Sequence, residues 1–295
     1  MSLSSAPGTH ITIEQALRTY MTDIERQLAI STARDYSARI HRHLIPAFGH
    51  LTLTELAPTH IRNWITELAL SSKAINNILI PLRNVFADAY QNEVIDRNPF
   101  DRIKMLPVQS READPFSWPE IISVLRHLAS ASVAVKNYFQ FAFATGLRTS
   151  ELIALTWDDI HLGKSKILVS KARVRGITKQ PKTKSGRRVV DLLPMAAAAL
   201  ASQQRIGAET PEVFYDPRCK RSWVNDQALR KVYWYPALRE AGIRRRNPYQ
   251  TRHTYASQLL SNGANPLYVA AQMGHKDWGM IRSVYGKYIS ETQSL

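Results

Sequence analysis

Five short stretches carry residues able to handle an anionic ester. In ATGLRTSEL, residues 144–152, a helix ends at Gly146. Arg148 sits on the turn before the next helix, where a guanidinium either grips a phosphate bidentately or pairs with Glu151. In PKTKSGRR, residues 181–188, Lys182, Lys184, Arg187 and Arg188 surround a Ser-Gly turn at a hairpin tip. This is either a solvated charged turn or a loop that brings an ammonium to a departing alkoxide. In YQTRHTYASQLL, residues 249–260, Arg252 and His253 adjoin at a helix start, with Tyr249 three residues before the arginine. In QMGHKDW, residues 272–278, His275 follows a helix stopped by Gly274, so its ring belongs to a loop, as a cap, a core-edge group or a ligand. Tyr285 comes ten residues later, and Tyr288 three beyond that.

The elements that position them read mainly α. ARDYSARIHRHL, capped by Ser31 or Thr32 and stopped by Pro46 and Gly49, is one helix. THIRNWITELAL puts Ile61, Trp64, Ile65 and Leu68 on one face. The stripe Ile75, Ile78, Leu79, Leu82, Val85, Phe86 makes a longer helix that Pro81 should kink or break. These form a bundle of about four helices. LPVQSREADPFS reads as a linker. SWPEIISVLRHL then opens a second domain with a Ser117/Glu120 capping box. SKILVS and RRVVDLL are the strand-like runs, with another strand and the turns between them. Later helices are interrupted at Pro236 and stopped at Gly263. The expected fold is α+β, mainly α with a small antiparallel sheet. Its parts are a helical domain over residues 1–106, a linker over 107–117 and a second domain over 118–295.

The 295 residues carry a net charge of +15, unevenly spread. Residues 1–109 have 11 Lys/Arg against 10 Asp/Glu, and residues 110–295 have 28 against 14. A surplus confined to one part points to a polyanion bound by that part. A basic membrane-surface protein fits poorly, because no basic amphipathic helix with an aromatic face stands out. No run of 18 apolar residues occurs, MSLSSAPGTH lacks the features of a signal peptide, and Cys219 is the only cysteine. The expected location is cytoplasmic and nucleoid-associated.

The order of these stretches is more specific than any one of them. TGLRTSELIALTW, PKTKSGRR, TRHTYAS, MGHKD and VYGKY together resemble the tyrosine recombinase, or phage integrase, family. LIPAFGHLTLTEL and NEVIDRNPF resemble that family's core-binding domain, so the resemblance covers roughly residues 11–290. It implies a catalytic domain at the C-terminal side, in which Arg148 and Arg252 grip the scissile phosphate. Lys182 would be the general acid, with Lys184 as the alternative, and His275 would bond the phosphate or assist proton transfer. Tyr285 would be the nucleophile, with Tyr288 a minor alternative, and Glu151 would brace the site. Two departures stand out. Tyr249 replaces the family's usual histidine, leaving it a phosphate-positioning or merely structural residue and His253 a structural neighbour. The His275–Tyr285 spacing of ten is also one residue longer than the family's usual nine. No further N-terminal arm-site domain is visible.

The chemistry agrees with this set. Attack on a phosphodiester concentrates negative charge that fixed cations must offset. No paired-carboxylate or metal-ligand spacing stands out, and no GxxxxGK[ST] motif occurs, so neither a metal nor ATP is expected. A tyrosine nucleophile keeps the bond energy in a covalent 3′-phosphotyrosine. The resemblance implies a site-specific DNA recombinase that integrates or excises a mobile element. It would act on duplex DNA as a homotetramer on paired sites and a monomer when free, with accessory DNA-bending proteins as candidate partners. The rival readings are a type IB topoisomerase-like relaxing enzyme and a catalytically silent DNA-binding regulator.

The charge asymmetry yields a prediction. Residues 110–295 alone bind DNA, with an affinity that falls steeply with salt as counterions are released. In a salt-titrated gel shift, tighter binding by residues 1–109 in moderate salt would refute the charge argument.

Overall fold

Thr12 and Gln15 form a capping box that starts the first helix, α1 (Ile13–Gln27). The structure, a computed structural model, describes residues 10–109, 112–180, 186–207, 210–275 and 277–289. The chain divides into two compact units, residues 1–110 and 111–295. It is mainly helical with small antiparallel sheets, as the sequence pattern predicts.

The first unit contains α1, α2 (Ile30–Arg39), α3 (Ile45–Phe48), α4 (Pro58–Glu67) and α5 (Ser72–Gln91). Their apolar faces enclose Leu17, Ile40, Leu44, Ile61, Leu82 and Phe86. Helix α2 begins after Ala29, without a side-chain cap, so Ser31 and Thr32 lie inside it. It does not stop at Pro46. A π turn, Ile40–Leu44, runs into α3 and places Pro46 in that helix's first turn, where its missing N–H costs nothing. Nor does Pro81 break α5. The proline cannot donate to the carbonyl of Asn77, and the Arg39 guanidinium donates to that oxygen instead, at 3.3 Å.

The second unit begins with α6 (Trp118–Ala131), α7 (Val133–Thr145) and α8 (Thr149–Leu152). The expected Ser117/Glu120 capping box is present. Helix α7 is apolar nearly all round, is buried along its length, and packs against α6. The strands are β1 (Ile160–His161), β2 (Lys166–Val169), β3 (Ala172–Val174), β4 (Ile177–Lys179) and β5 (Arg188–Asp191). β2 pairs with β1 and β5, both antiparallel, with Val169 opposite Arg188. Between them lie two strands where the sequence suggested one, and β3 pairs with β4. α9 (Pro194–Ile206) covers α7, and the short pair β6 (Tyr215–Asp216) and β7 (Arg221–Ser222) follows.

Pro236 does not interrupt its helix. A second π turn, Leu229–Trp234, leads into α10 (Tyr235–Glu240) with the proline in the first turn. Trp234 is fully buried, stacked on Phe139 at 4.4 Å, and its indole N–H donates to the Arg246 carbonyl. The last helices are α11 (Gln250–Ser261), α12 (Pro266–Met273) and α13 (Gly279–Tyr285). They share a separate small cluster of Tyr255, Leu260, Val269, Met273, Ile281 and Tyr285. Of the expected linker, the described residues from 112 onward pack on this unit. The Asp114 and Phe116 amides donate to Gln250 and Thr254 of α11.

Helix α7 ends on Gly146 in the left-handed conformation, φ +60°. A Cβ built there would stand 2.4 Å from the Tyr255 ring. Gly146→Ala should therefore destabilise the second unit by about 2–4 kcal/mol, through left-handed strain and overpacking. Urea unfolding followed by tryptophan fluorescence measures this, and an unchanged midpoint would contradict the assignment.

Candidate active site

Arg252 lies in the first turn of α11 and is 1% exposed. Its Nη1 donates to the Gly146 carbonyl at 2.6 Å, and its Nη2 to the Met273 carbonyl at 2.5 Å. These oxygens belong to the C-terminal ends of α7 and α12, where the helix dipoles are negative. Burial, and then the nearby Arg148 charge, push its pKa down to about 10, so it remains a cation near neutral pH. Among the described residues its buried Nε has no hydrogen-bond partner.

Arg148 caps α8. Its amide donates to Glu151 at 2.8 Å, one guanidinium nitrogen to the same carboxylate at 2.8 Å, and the other to the Gly274 carbonyl at 3.2 Å. Pairing with Glu151 is thus real, and it leaves the guanidinium about one-third exposed. Glu151 is buried and takes a second, bidentate pair from Arg188, at 3.0 and 2.9 Å. Burial alone would raise the Glu151 pKa. The hydrogen bonds and charge of Arg188, then of Arg148, outweigh it and hold the carboxyl below its usual range. Arg188 also donates to the Gln272 carbonyl at 2.7 Å, and Gln272 accepts from the Asp191 amide. The start of β5 is therefore bolted to α8 and α12. Sequence reasoning counted Arg188 among the hairpin cations. In the structure it shares the inward face of β5 with Val190.

Gly274, φ +66°, ends α12 and turns the chain so that His275 returns toward Arg252. Arg252 Nη2 lies 3.1 Å from His275 Nε2. A guanidinium can only donate, so Nε2 accepts and a neutral ring carries its proton on Nδ1. Burial, then Arg252, Arg148 and Arg188, push the His275 pKa down to about 4, so the ring is neutral. Its Nδ1 has no hydrogen-bond partner among the described residues.

Tyr285, 2% exposed, ends α13 with its ring in the small cluster. Its hydroxyl lies 2.7 Å from His253 Nδ1. Burial raises the phenol's pKa while the Arg252 charge lowers it, and burial prevails. His253 is pushed down to about 4 by burial and Arg252. Tyr249 is 43% exposed, with its ring edge-on to His253 at 5.2 Å. Tyr288 packs at the cluster's edge. Arg148, Glu151, Arg252, His253, His275 and Tyr285 are thus brought together by α8, α11, the turn after α12, and α13. Lys182 and Lys184 lie outside the described residues. The direct His253–Tyr285 contact was missed, because it joins residues 32 apart in the chain.

Two guanidiniums, two imidazoles and a phenol gathered on this fold form a site whose fixed positive charge suits an anionic ester. Residues 114–290 match the sequence profile described as the phage integrase family, and residues 12–69 match the phage integrase N-terminal SAM-like domain. Prophage integrase IntR of Escherichia coli (strain K12) is 32% identical over 244 residues, a match spanning 74% of this chain and 58% of that protein. The fold is similar to Tn1549 transposon integrase in complex with circular intermediate DNA, with a TM-score of 0.78, 20% identity and 95% of each chain covered. It is also similar to a lambda integrase tetramer bound to a Holliday junction, with a TM-score of 0.74, 15% identity, and 90% of this chain and 78% of that one covered. The chain belongs to the phage integrase family. It is a site-specific tyrosine recombinase, an enzyme of mobile elements that cuts and rejoins DNA. Among the described residues no helix is long and apolar enough to cross a membrane.

The two histidines give a pH prediction. Their folded pKa values, about 4, lie below the unfolded value of 6.5. Their contribution to stability is therefore complete above pH 6.5 and is lost as pH falls toward 4, where the unfolded chain binds more protons. Denaturant midpoints measured across that window should fall for the wild type and fall less for the double variant His253→Gln, His275→Gln. Parallel curves would contradict the shifts.

Proposed function

We propose that this recombinase integrates or excises its element through a covalent 3′-phosphotyrosine on Tyr285. Arg148 and Arg252 hold the non-bridging oxygens of the scissile phosphate, and His275 donates to one of them through Nδ1–H. The Tyr285 oxygen forms a bond to phosphorus, the bond to the 5′ oxygen breaks, and Lys182, or Lys184 two residues along, protonates that oxygen. Glu151 fixes Arg148. Tyr249 serves as a phosphate-positioning neighbour at the mouth of the site.

The observation that supports this reading most is the meeting of Arg148, Arg252 and His275 around the Met273–Gly274 turn, with the two guanidiniums fixed by main-chain or carboxylate partners and the imidazole by Arg252. Charge held in place before the reaction needs no reorganisation as the pentavalent state forms. The proposed assembly places residues 1–106 and 118–295 on duplex DNA, joined through 107–117. Four protomers pair two sites in the nucleoid, in the manner of the lambda integrase tetramer bound to a Holliday junction.

The test begins with a randomised library of nicked duplexes and sequencing of the DNA that becomes covalently attached. A nicked suicide duplex is then built on the recovered site. Tyr285→Phe should bind this duplex normally and form no adduct, Tyr288→Phe should still form it, and Arg252→Ala should lose on the order of 10²–10³ in rate. Peptide mapping that finds the DNA on Tyr288 would sink the nucleophile assignment. Relaxation of supercoils without any two-site product would favour the topoisomerase-like reading.

A further inference from the structure

The Tyr285 hydroxyl must lose a proton as it attacks, and the site offers two imidazoles for that task. His275 is excluded by its geometry. Its Nε2 lone pair already accepts from Arg252 at 3.1 Å, and its other nitrogen carries the proton. Tyr249 is half exposed, and a phenol is a poor base near neutral pH. His253 stands one helical turn after Tyr249 on α11, with Nδ1 2.7 Å from the Tyr285 oxygen. Among the described residues this is the hydroxyl's hydrogen bond. A buried phenol whose proton lacked an acceptor would carry a desolvation penalty, so the phenol donates and Nδ1 accepts. The ring proton of His253 then sits on Nε2.

We infer that His253 is the general base of the cleavage step and the general acid of rejoining. This rests on the assignment of Tyr285 as nucleophile. In cleavage the phenol proton passes to His253 Nδ1 as the tyrosine oxygen bonds phosphorus and the 5′ oxygen departs. In rejoining the 5′-hydroxyl bonds phosphorus and gives its proton to the lysine that protonated it in cleavage, the phosphotyrosine bond breaks, and the imidazolium returns the other proton to the phenolate. The free protein disfavours a charged His253 through burial and the Arg252 cation. A phosphodiester gripped by Arg252 offsets the second cause, so the base strengthens when its substrate is in place. The family's usual histidine, three residues before the second arginine, is absent here. The imidazole one turn later, aimed at the nucleophile, provides what Tyr249 cannot.

The experiment uses the full chain and the suicide duplex described above. His253→Ala and His253→Gln should bind the duplex, with His253→Ala unfolding somewhat below the wild type because the buried phenol loses its acceptor, and both should form adduct slower by on the order of 10²–10³. Glutamine offers a hydrogen-bond acceptor without basicity, so a wild-type rate in His253→Gln would reduce the residue to a positioning role and overturn the inference. A second arm places trifluorotyrosine, a more acidic phenol, at position 285. It should restore much of the rate in His253→Ala and add little in the wild type. Equal effects in both backgrounds would overturn the base assignment. An adduct that forms in the wild type on a tyrosine other than 285 marks failure of the underlying assignment. A correctly placed adduct whose rate ignores position 253 marks failure of this inference alone.

Discussion

The site depends on one buried charge. Arg252 has almost no access to water, and its hydrogen bonds run to two main-chain carbonyls and an imidazole. Burying an ion is tolerated only where polar partners replace its hydration. Here the replacement comes from the ends of α7 and α12, so both helices must stop at the right place and face the same point. Gly146 and Gly274, each left-handed, achieve this. Packing of α7 on α6, α9 and α11 fixes one end, and the α11–α12–α13 cluster fixes the other.

A second constraint works through Glu151. One buried carboxylate pairs with Arg148 and Arg188, and Arg188 continues to Gln272. The strand that follows the lysine-bearing stretch is thereby tied to the helix start that carries Arg148. Removing Glu151 would leave two guanidiniums partly buried without their carboxylate, and such losses are costly. The carboxylate sets the geometry of both guanidiniums.

Much of this was legible in the sequence, because short-range chemistry specifies it. The Ser117/Glu120 cap and the Gly146 stop depend on a few neighbouring residues, and Arg148 was correctly placed at the head of a helix. Errors arose where a distant group resolved a local conflict. Pro81 reads as a breaker, yet Arg39, 42 residues earlier, satisfies the carbonyl that the proline abandons. Pro46 and Pro236 read as stops, yet each follows a π turn that resets the hydrogen-bond register. Arg188 read as one of four hairpin cations because nothing nearby signals its partner 37 residues away. The His253–Tyr285 bond was hidden for the same reason.

The use of main-chain oxygens to hold Arg252 and Arg148 bears on how such a site can persist through descent. A carbonyl is contributed by whichever residue occupies the position, so drift at 273 can follow the demands of packing without disturbing the anchors. Glu151 aside, the carbonyl anchors impose a side-chain restriction only at the two left-handed turns, and that restriction is the absence of a side chain. Heritable information for the anchors is therefore spread over helix length and termination instead of residing in particular letters. An architecture of this kind can outlast most of the sequence that encodes it.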